Sequence, residues 1–440
     1  MTMRSKFTPL VSRRLLSKVR RQKKRVRAEK RRRREGRPHE VLFFHQVDDP
    51  YSLLLAQALL RLRERYEVEV QVHLVPPPDD WAAPERARLR SWSLTDAGHL
   101  ARRSGLELPA AGSKSDVTPG EEASRKALEV IGAAIGRQGD DLLQITVDVT
   151  SRLWAGEELP EDGGVVTVDV DNLLAASADL RKRLGHYLGA TCWYEGEWTW
   201  GIDRLLRLEQ RLRDLGVQRE GAPPDWIWTP PPDFAPSGSG RSTTSSADLP
   251  PLDWYLSFRS PYTAVLAPRL NDFVEHWGVE LRLRPVLPMV MRGLPVDRSK
   301  GQYILRDAAD EAVRQGVDFG HISDPVGRPV ERGYSLLPWA IEQGRGLEYC
   351  QAFLRGVWAR GIDADTDRGL ARIVEDAGLP WSEARVHLGS DEWRSVAEAN
   401  RRELLDLGLW GVPCLRAGDC AVWGQDRLWV IDDYYASLAG

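Results

Sequence analysis

The sequence predicts an α/β protein built from two tandem copies of one domain. Each copy is a βαβ unit and a ββα unit with a helical block inserted between them. Three observations carry this. Val41–Leu108 aligns with Leu252–Phe319 at a constant offset and without a gap, so that Asp49-Pro50-Tyr51 falls on Ser260-Pro261-Tyr262 and Asp96-Ala97 on Asp307-Ala308. The likeness returns at the end of each half, where Leu188-Gly189-Ala190-Thr191-Cys192 faces Trp410-Gly411-Val412-Pro413-Cys414 and Trp200-Gly201-Ile202-Asp203-Arg204 faces Trp423-Gly424-Gln425-Asp426-Arg427. Between the halves, residues 216–250 contain Pro-Pro and Pro-Pro-Pro runs followed by Ser and Gly, a composition that builds linkers rather than cores. Self-similarity over this length is the mark of a duplicated domain.

The first element is a basic segment. Residues 1–38 hold 17 Lys/Arg against Glu29 and Glu35, a net +15, which leaves −18 on the rest of a chain whose total is −3. A run such as Lys30-Arg31-Arg32-Arg33-Arg34 reads as a solvated arm. Its functional readings are attraction to an anionic membrane surface or to nucleic acid. Leu10, Val11, Leu15, Leu16 and Val19 lie at near-helical spacing beside it.

The folded elements follow. Val41-Leu42-Phe43-Phe44 reads as a short apolar strand ending at Asp48-Asp49-Pro50, and Pro50 sits where a helix begins and its missing N–H costs nothing. Leu54, Leu55, Ala58, Leu59 and Leu62 give Tyr51–Tyr66 helical periodicity, and Val68–Val75 alternates as a strand does. Strand, helix and strand at this spacing make a parallel βαβ unit. A helical stretch, about Pro84–Leu180, comes next, broken by a loop over residues 109–119. Thr191–Tyr194 and Trp198–Trp200 flank a tight turn at Glu195-Gly196-Glu197, a hairpin that leads into a helix from Ile202 to Leu215. The order describes a thioredoxin-like fold. The domains are 1–38 for the basic tail, 39–215 for the first copy, 216–250 for the linker, with Trp226 and Trp228 pinning its first part, and 251–440 for the second copy.

Composition bounds the function. With 42% hydrophobic and 28% charged residues the chain is of ordinary globular type. Cys192, Cys350, Cys414 and Cys420 show no CxxC and no zinc-ligand spacing, which suits a reducing, cytoplasmic setting. No apolar run reaches the roughly 20 residues that cross a bilayer. The eight histidines show no ligand pattern and no metal site is predicted, and no nucleotide fingerprint is present.

The chemistry gathers in the second copy. Its first strand delivers Arg259-Ser260-Pro261-Tyr262 to a helix start, where free N–H groups, the helix dipole, the Ser260 hydroxyl and the Arg259 charge all favour an anion such as a thiolate. By itself Ser260 reads as a simple N-cap, a role serine commonly fills. Gly411-Val412-Pro413 precedes a strand, a place where proline takes an edge or a cis form. A cis proline there exposes the Val412 N–H and C=O to an extended peptide ligand. Gln425 and Asp426, opening the last helix, suit a ligand's ammonium and carboxylate. A tripeptide with a central thiol, glutathione, fits such a groove.

Phe258-Arg259-Ser260-Pro261-Tyr262, Lys300-Gly301-Gln302-Tyr303 with Asp307, Gly411-Val412-Pro413 and Trp423-Gly424-Gln425-Asp426-Arg427 together resemble the 2-hydroxychromene-2-carboxylate isomerases and kappa-class glutathione transferases of the DsbA-like branch. The resemblance covers Leu252–Gly440 and, more weakly, Val41–Leu215. It implies that Ser260 stabilises a glutathione thiolate, that Val412 pairs with the cysteinyl backbone, that Gln425 and Asp426 bind the γ-glutamyl end, and that Lys300 lies near the ligand. Tyr303 and Asp307 would brace the insert. Relatives form dimers, so the two copies are expected to pair within the chain, with a homodimer as a further form. The sequence departs from the family in lacking an Asn in Met289–Ser299 and in carrying Cys414 beside the proline. In the first copy Asp49 replaces Ser260, Thr191 the proline, Leu89 replaces Lys300 and Ile202 replaces Gln425, so this copy is expected to be inactive. The function expected is a glutathione-dependent isomerase or transferase acting on an aromatic-derived electrophile. The rival readings are a non-catalytic interaction module anchored by its tail and a glutathione-linked thiol-disulfide oxidoreductase using Cys414.

Overall fold

The computed structural model describes residues 9–109, 118–135, 137, 141–160, 169–234, 249–294 and 296–439. In chain order its helices and strands begin with α1 (Pro9–Leu15), α2 (Lys18–Arg34), β1 (Glu40–His45), α3 (Pro50–Arg65), β2 (Glu69–Leu74), α4 (Arg86–Ser104), α5 (Glu121–Ile135), α6 (Leu142–Ala155) and α7 (Val170–Leu184). The hairpin β3 (Thr191–Tyr194) and β4 (Glu197–Trp200) then leads to α8 (Leu205–Asp214). The second series runs β5 (Leu252–Leu256), α9 (Pro261–Leu266), α10 (Leu270–Trp277), β6 (Leu281–Pro285), α11 (Arg298–Arg314), α12 (Arg328–Glu342) and α13 (Gly346–Ala359). It closes with α14 (Asp367–Asp376), α15 (Trp381–Ala384), α16 (Glu392–Asp406), β7 (Cys414–Ala417), β8 (Cys420–Trp423) and α17 (Leu428–Ala439). The chain divides into two compact units, Arg21–Pro230 and Pro231–Gly440, the second also taking in Met1–Arg20.

Each unit holds a four-stranded sheet, in the order β2-β1-β3-β4 and β6-β5-β7-β8. The first pair of each series is parallel and the remaining pairings are antiparallel. The central strands explain themselves. Leu252, Trp254, Tyr255 and Leu256 are fully buried, as are Val41, Phe43 and Phe44, because helices cover both sheet faces. In the C-terminal unit α9 packs against α11 and α13. Phe258, just past β5, stacks on Phe353 of α13 with ring centroids 4.1 Å apart.

The same brace occurs in both units. Tyr51 donates to Asp96 at 2.7 Å and Tyr262 to Asp307 at 2.8 Å, each tying the first helix of the sheet to the insert. Trp154 donates to the Val47 carbonyl and Trp358 to the Phe258 carbonyl, both at 3.0 Å.

The basic segment departs from the expected solvated arm: it is helical from Pro9 to Leu15 and from Lys18 to Arg34. Within the C-terminal unit, fully buried Ser12 of α1 accepts from the Ile322 N–H at 3.1 Å and donates to the Pro9 carbonyl. Within the N-terminal unit, Arg25 of α2 grips both oxygens of Glu197 on β4, at 2.9 Å. Glu195, in the tight turn, is held by Arg37 at 2.8 Å. A carboxylate pair on the hairpin thus orders a helix that its own charge would leave solvated.

Of the linker, residues 235–248 lie outside the described residues, as do residues 110–117 of the loop in the first insert. The described start of the linker is held down. Arg213 lies 3.6 Å over the Trp226 ring, Trp228 is buried, and the Ile227 N–H donates to Glu209 at 2.9 Å. Among the described residues no helix is long and apolar enough to cross a membrane.

Candidate active site

The site begins where β5 hands the chain to α9. Ser260 has extended backbone angles and its hydroxyl accepts from the Thr263 N–H at 3.2 Å, with Pro261 at the first helical position. This is the N-cap that the residue types require. The same hydroxyl donates to the Val412 carbonyl at 3.1 Å, across 152 residues of sequence. The Val412–Pro413 peptide is cis. Ser260, Val412 and Pro413 therefore meet at one point.

The loop that carries Val412 is set by close packing. A side chain at Gly411 would place its first carbon 2.2 Å from the Trp423 indole, so only glycine lets the loop lie on β8. Trp410 packs edge-on against the same indole, with centroids 5.1 Å apart. Lys300 of α11 is buried, with its ammonium 5.7 Å from the centre of the Trp410 ring, a cation–π contact. Burial lowers its pKa to about 8.

The other predicted residues are engaged elsewhere. Arg259 forms a fork with Asp324, at 2.9 and 3.1 Å, and the Asp324 carboxylate is almost wholly buried. Its charge is thus directed into the insert. Tyr262 points its hydroxyl at Asp307. Gln425 is buried and spoken for at both ends, donating to Glu311 at 2.9 Å and accepting from Arg269 at 2.7 Å. Arg269 is in turn clamped by Asp233 at 2.6 Å. Asp426 lies beside Arg427, 3.5 Å away, and its carbonyl accepts from the Trp429 indole at 3.1 Å. Asp324, Arg269 and Glu311 carry no sequence signal: each lies in a helix, a turn or the insert, 36 to 156 residues from the partner it holds.

Cys414 is fully buried, its thiol donates to the Gly411 carbonyl at 3.1 Å, and burial pushes its pKa well up. A thiol of that kind is inert. All four cysteines are free thiols.

The N-terminal unit has the same sheet order and carries different residues at the corresponding positions. Sheet register corrects the expected correspondence by one residue. Thr191 pairs with Phe44 and Trp200, as Cys414 pairs with Tyr255 and Trp423, so Ala190 rather than Thr191 takes the place of Pro413. Ala190 has φ of 50°, and its N–H donates to Ser52 at 2.9 Å. Gly189 then stands where Val412 does, and a side chain there would run into Gln46 at 2.7 Å. Asp49 caps α3 and accepts from Ser52 at 2.9 Å. Burial pushes the Asp49 carboxyl up to about 7 against the hydrogen bond from Ser52, which weakens the negative charge expected of it.

Comparison with known proteins agrees on the second half. A family model described as a DSBA-like thioredoxin domain matches residues 251–436. The chain is 25% identical over 199 residues to 2-hydroxychromene-2-carboxylate isomerase of Sphingobium xenophagum, spanning 42% of this chain and 96% of that protein. It is 22% identical over 195 residues to the isomerase of the same name from Pseudomonas putida, spanning 42% and 95%. A solved structure of 2-hydroxychromene-2-carboxylate isomerase aligns at 20% identity with a TM-score of 0.37, over 42% of this chain and 95% of that one. Residues 251–436 accordingly form a DSBA-like thioredoxin domain, homologous to the 2-hydroxychromene-2-carboxylate isomerases.

Proposed function

We propose that the C-terminal unit is a glutathione-dependent isomerase or transferase acting on an aromatic-derived electrophile, with Ser260 as the residue that holds the thiolate. The observation that carries the reading is the Ser260 hydroxyl, 3.1 Å from the Val412 carbonyl beside a cis proline and at a helix cap. Homology to named isomerases supports it.

The residues fit glutathione best at its thiol. A small rotation takes the Ser260 hydroxyl from Val412 to a sulfur at the N-terminal end of α9, the positive end of that helix's dipole. Val412 offers its backbone to the cysteinyl residue once that carbonyl is released. Gln425 is engaged by Glu311 and Arg269, so an ammonium would bind the Asp426 carboxylate and share it with Arg427. Lys300 adds a positive charge beside the Val412 loop. When bound, glutathione supplies a thiolate that adds reversibly to an electron-poor carbon, which frees a neighbouring bond to rotate.

The N-terminal unit reads as a second copy of the domain in which the groove has closed. Its sheet order, its Tyr51–Asp96 brace and its Trp154–Val47 bond support a common plan. Gln46, Ser52 and Ala190 fill the space that would receive a ligand.

Calorimetry of the full chain with glutathione, alongside isomerisation of 2-hydroxychromene-2-carboxylate, tests the proposal. Ser260→Ala removes one donor to a charged sulfur, a loss of roughly 1.5–3 kcal/mol. The thiolate absorbance of the bound ligand should titrate at higher pH, and turnover at neutral pH should fall about ten- to a hundredfold. No binding at millimolar glutathione sinks the reading.

A further inference from the structure

We infer that the outward face of α2 is a docking surface for the phosphodiester backbone of a nucleic-acid duplex. The sequence of α2 holds twelve Lys/Arg and one Glu. From Arg21 onward, Arg21, Arg25, Ala28, Glu29 and Arg32 are half-buried and form one stripe at helical spacing. The opposite side carries Lys23, Lys24, Arg27, Lys30, Arg31 and Arg34, all exposed.

The inner face consumes the carboxylates. Arg25 and Arg211 share Glu197, at 2.9 and 3.2 Å. Glu29, the helix's own acid, is taken by Arg32 and Arg33, and Arg32 first among them holds its pKa down to about 2. Arg37 fills Glu195, which Arg31 reaches only at 3.5 Å. The outer cations are thus displayed on a helix whose position is already fixed. Little ordering cost remains to be met when a polyanion arrives.

The geometry suits phosphate rather than lipid. From Lys23 to Arg34 the helix rises about 16 Å, so six cations face a length of duplex carrying a charge every ~1.7 Å. Arginines add bidentate recognition of phosphate oxygens. A helix that enters a membrane surface needs an apolar face of bulky residues. Between Arg21 and Arg34 the only large apolar side chain is Val26, and the inner stripe is occupied by ion pairs. Residues 39–440 carry a net −18, so the excess of positive charge lies in residues 1–38, the segment that holds this face.

The test is fluorescence anisotropy of the full chain with labelled mixed-sequence DNA and RNA duplexes of about 20 base pairs, over a salt series. Vesicles of phosphatidylcholine with phosphatidylserine form a parallel arm. The variant Lys23→Gln/Lys24→Gln/Arg27→Gln/Lys30→Gln removes outward charge and leaves every anchoring pair intact. We expect duplex binding with a log–log salt slope of about −5, reduced by about 3 to 4 in the variant. Affinity at low salt should fall on the order of a hundredfold, with circular dichroism unchanged. A preference between the DNA and RNA arms identifies the natural source of phosphate, and either supports the inference. Absence of duplex binding at about 50 mM salt, binding unchanged in the variant, or binding to vesicles alone overturns it.

Discussion

Arg259 and Lys300 show how one residue's environment decides its task. Arg259 stands next to Ser260, yet its guanidinium is committed to a buried Asp324. Removing it leaves a carboxylate stranded in low dielectric, which costs about 3–5 kcal/mol. Arg259→Ala should therefore lower Tm sharply, and Arg259→Ala/Asp324→Ala should recover much of the loss. If the single variant melts normally and loses only glutathione affinity, Arg259 is a ligand residue after all. The pKa of Lys300 falls from 10.5 to about 8 through burial. The unfolded chain then binds the proton more tightly than the folded one, so stability rises with pH from about 8 to about 10.5. Below pH 8 the full penalty is present, at most about 3 kcal/mol. Lys300→Met should raise Tm at pH 7, and the gain should shrink toward pH 10.5. A gain that does not change with pH contradicts the assignment.

At the scale of elements, the site depends on how closely the Val412 loop lies on β8. Gly411 is the contact that permits it, with the Trp423 indole 2.2 Å from where a side chain would start. Gly411→Ala should cost about 1–3 kcal/mol by overpacking and move Val412 away from Ser260. Chemical denaturation measures the first effect and glutathione affinity the second, and a normal value for both would mean the loop is not held by this contact. The parallel βαβ units and the hairpins were legible because short apolar strands, Pro at a helix start and period-3.6 leucines act locally. The Tyr262–Asp307 pair was half legible, since both residues recur at one offset from Tyr51 and Asp96. The pairings of Arg259 with Asp324 and of Gln425 with Arg269 and Glu311 were not, because they join distant elements by side chains with no local pattern. Nor was the ordering of α2, whose charges read as repulsive until Glu195 and Glu197 are brought beneath them. A one-residue slip in the expected match of Thr191 to Pro413 has the same origin, since only strand pairing distinguishes the two registers.

For the molecule as a whole, the proposed function places the chemistry in the C-terminal unit alone, although both units share one sheet order. We predict one glutathione per chain, bound in the C-terminal unit, and no second site in the N-terminal unit even after Asp49→Ser. The carboxyl of Asp49 is only one of the obstacles there. Ser52 is already bonded to Asp49, to the Gln46 N–H at 3.2 Å and to the Ala190 N–H, which closes the space at the N-terminal end of α3. Gly189 cannot become valine without displacing Gln46. Leu89 and Ile202 align with Lys300 and Gln425 of the C-terminal unit, so the ammonium and the amide of those two positions have no counterpart there. Stoichiometry by calorimetry on wild type and Asp49→Ser should give one in both cases, and Ser260→Ala should move the thiolate titration to higher pH in either background. A stoichiometry of two, in either protein, would mean that the closed groove opens in solution and that both copies bind.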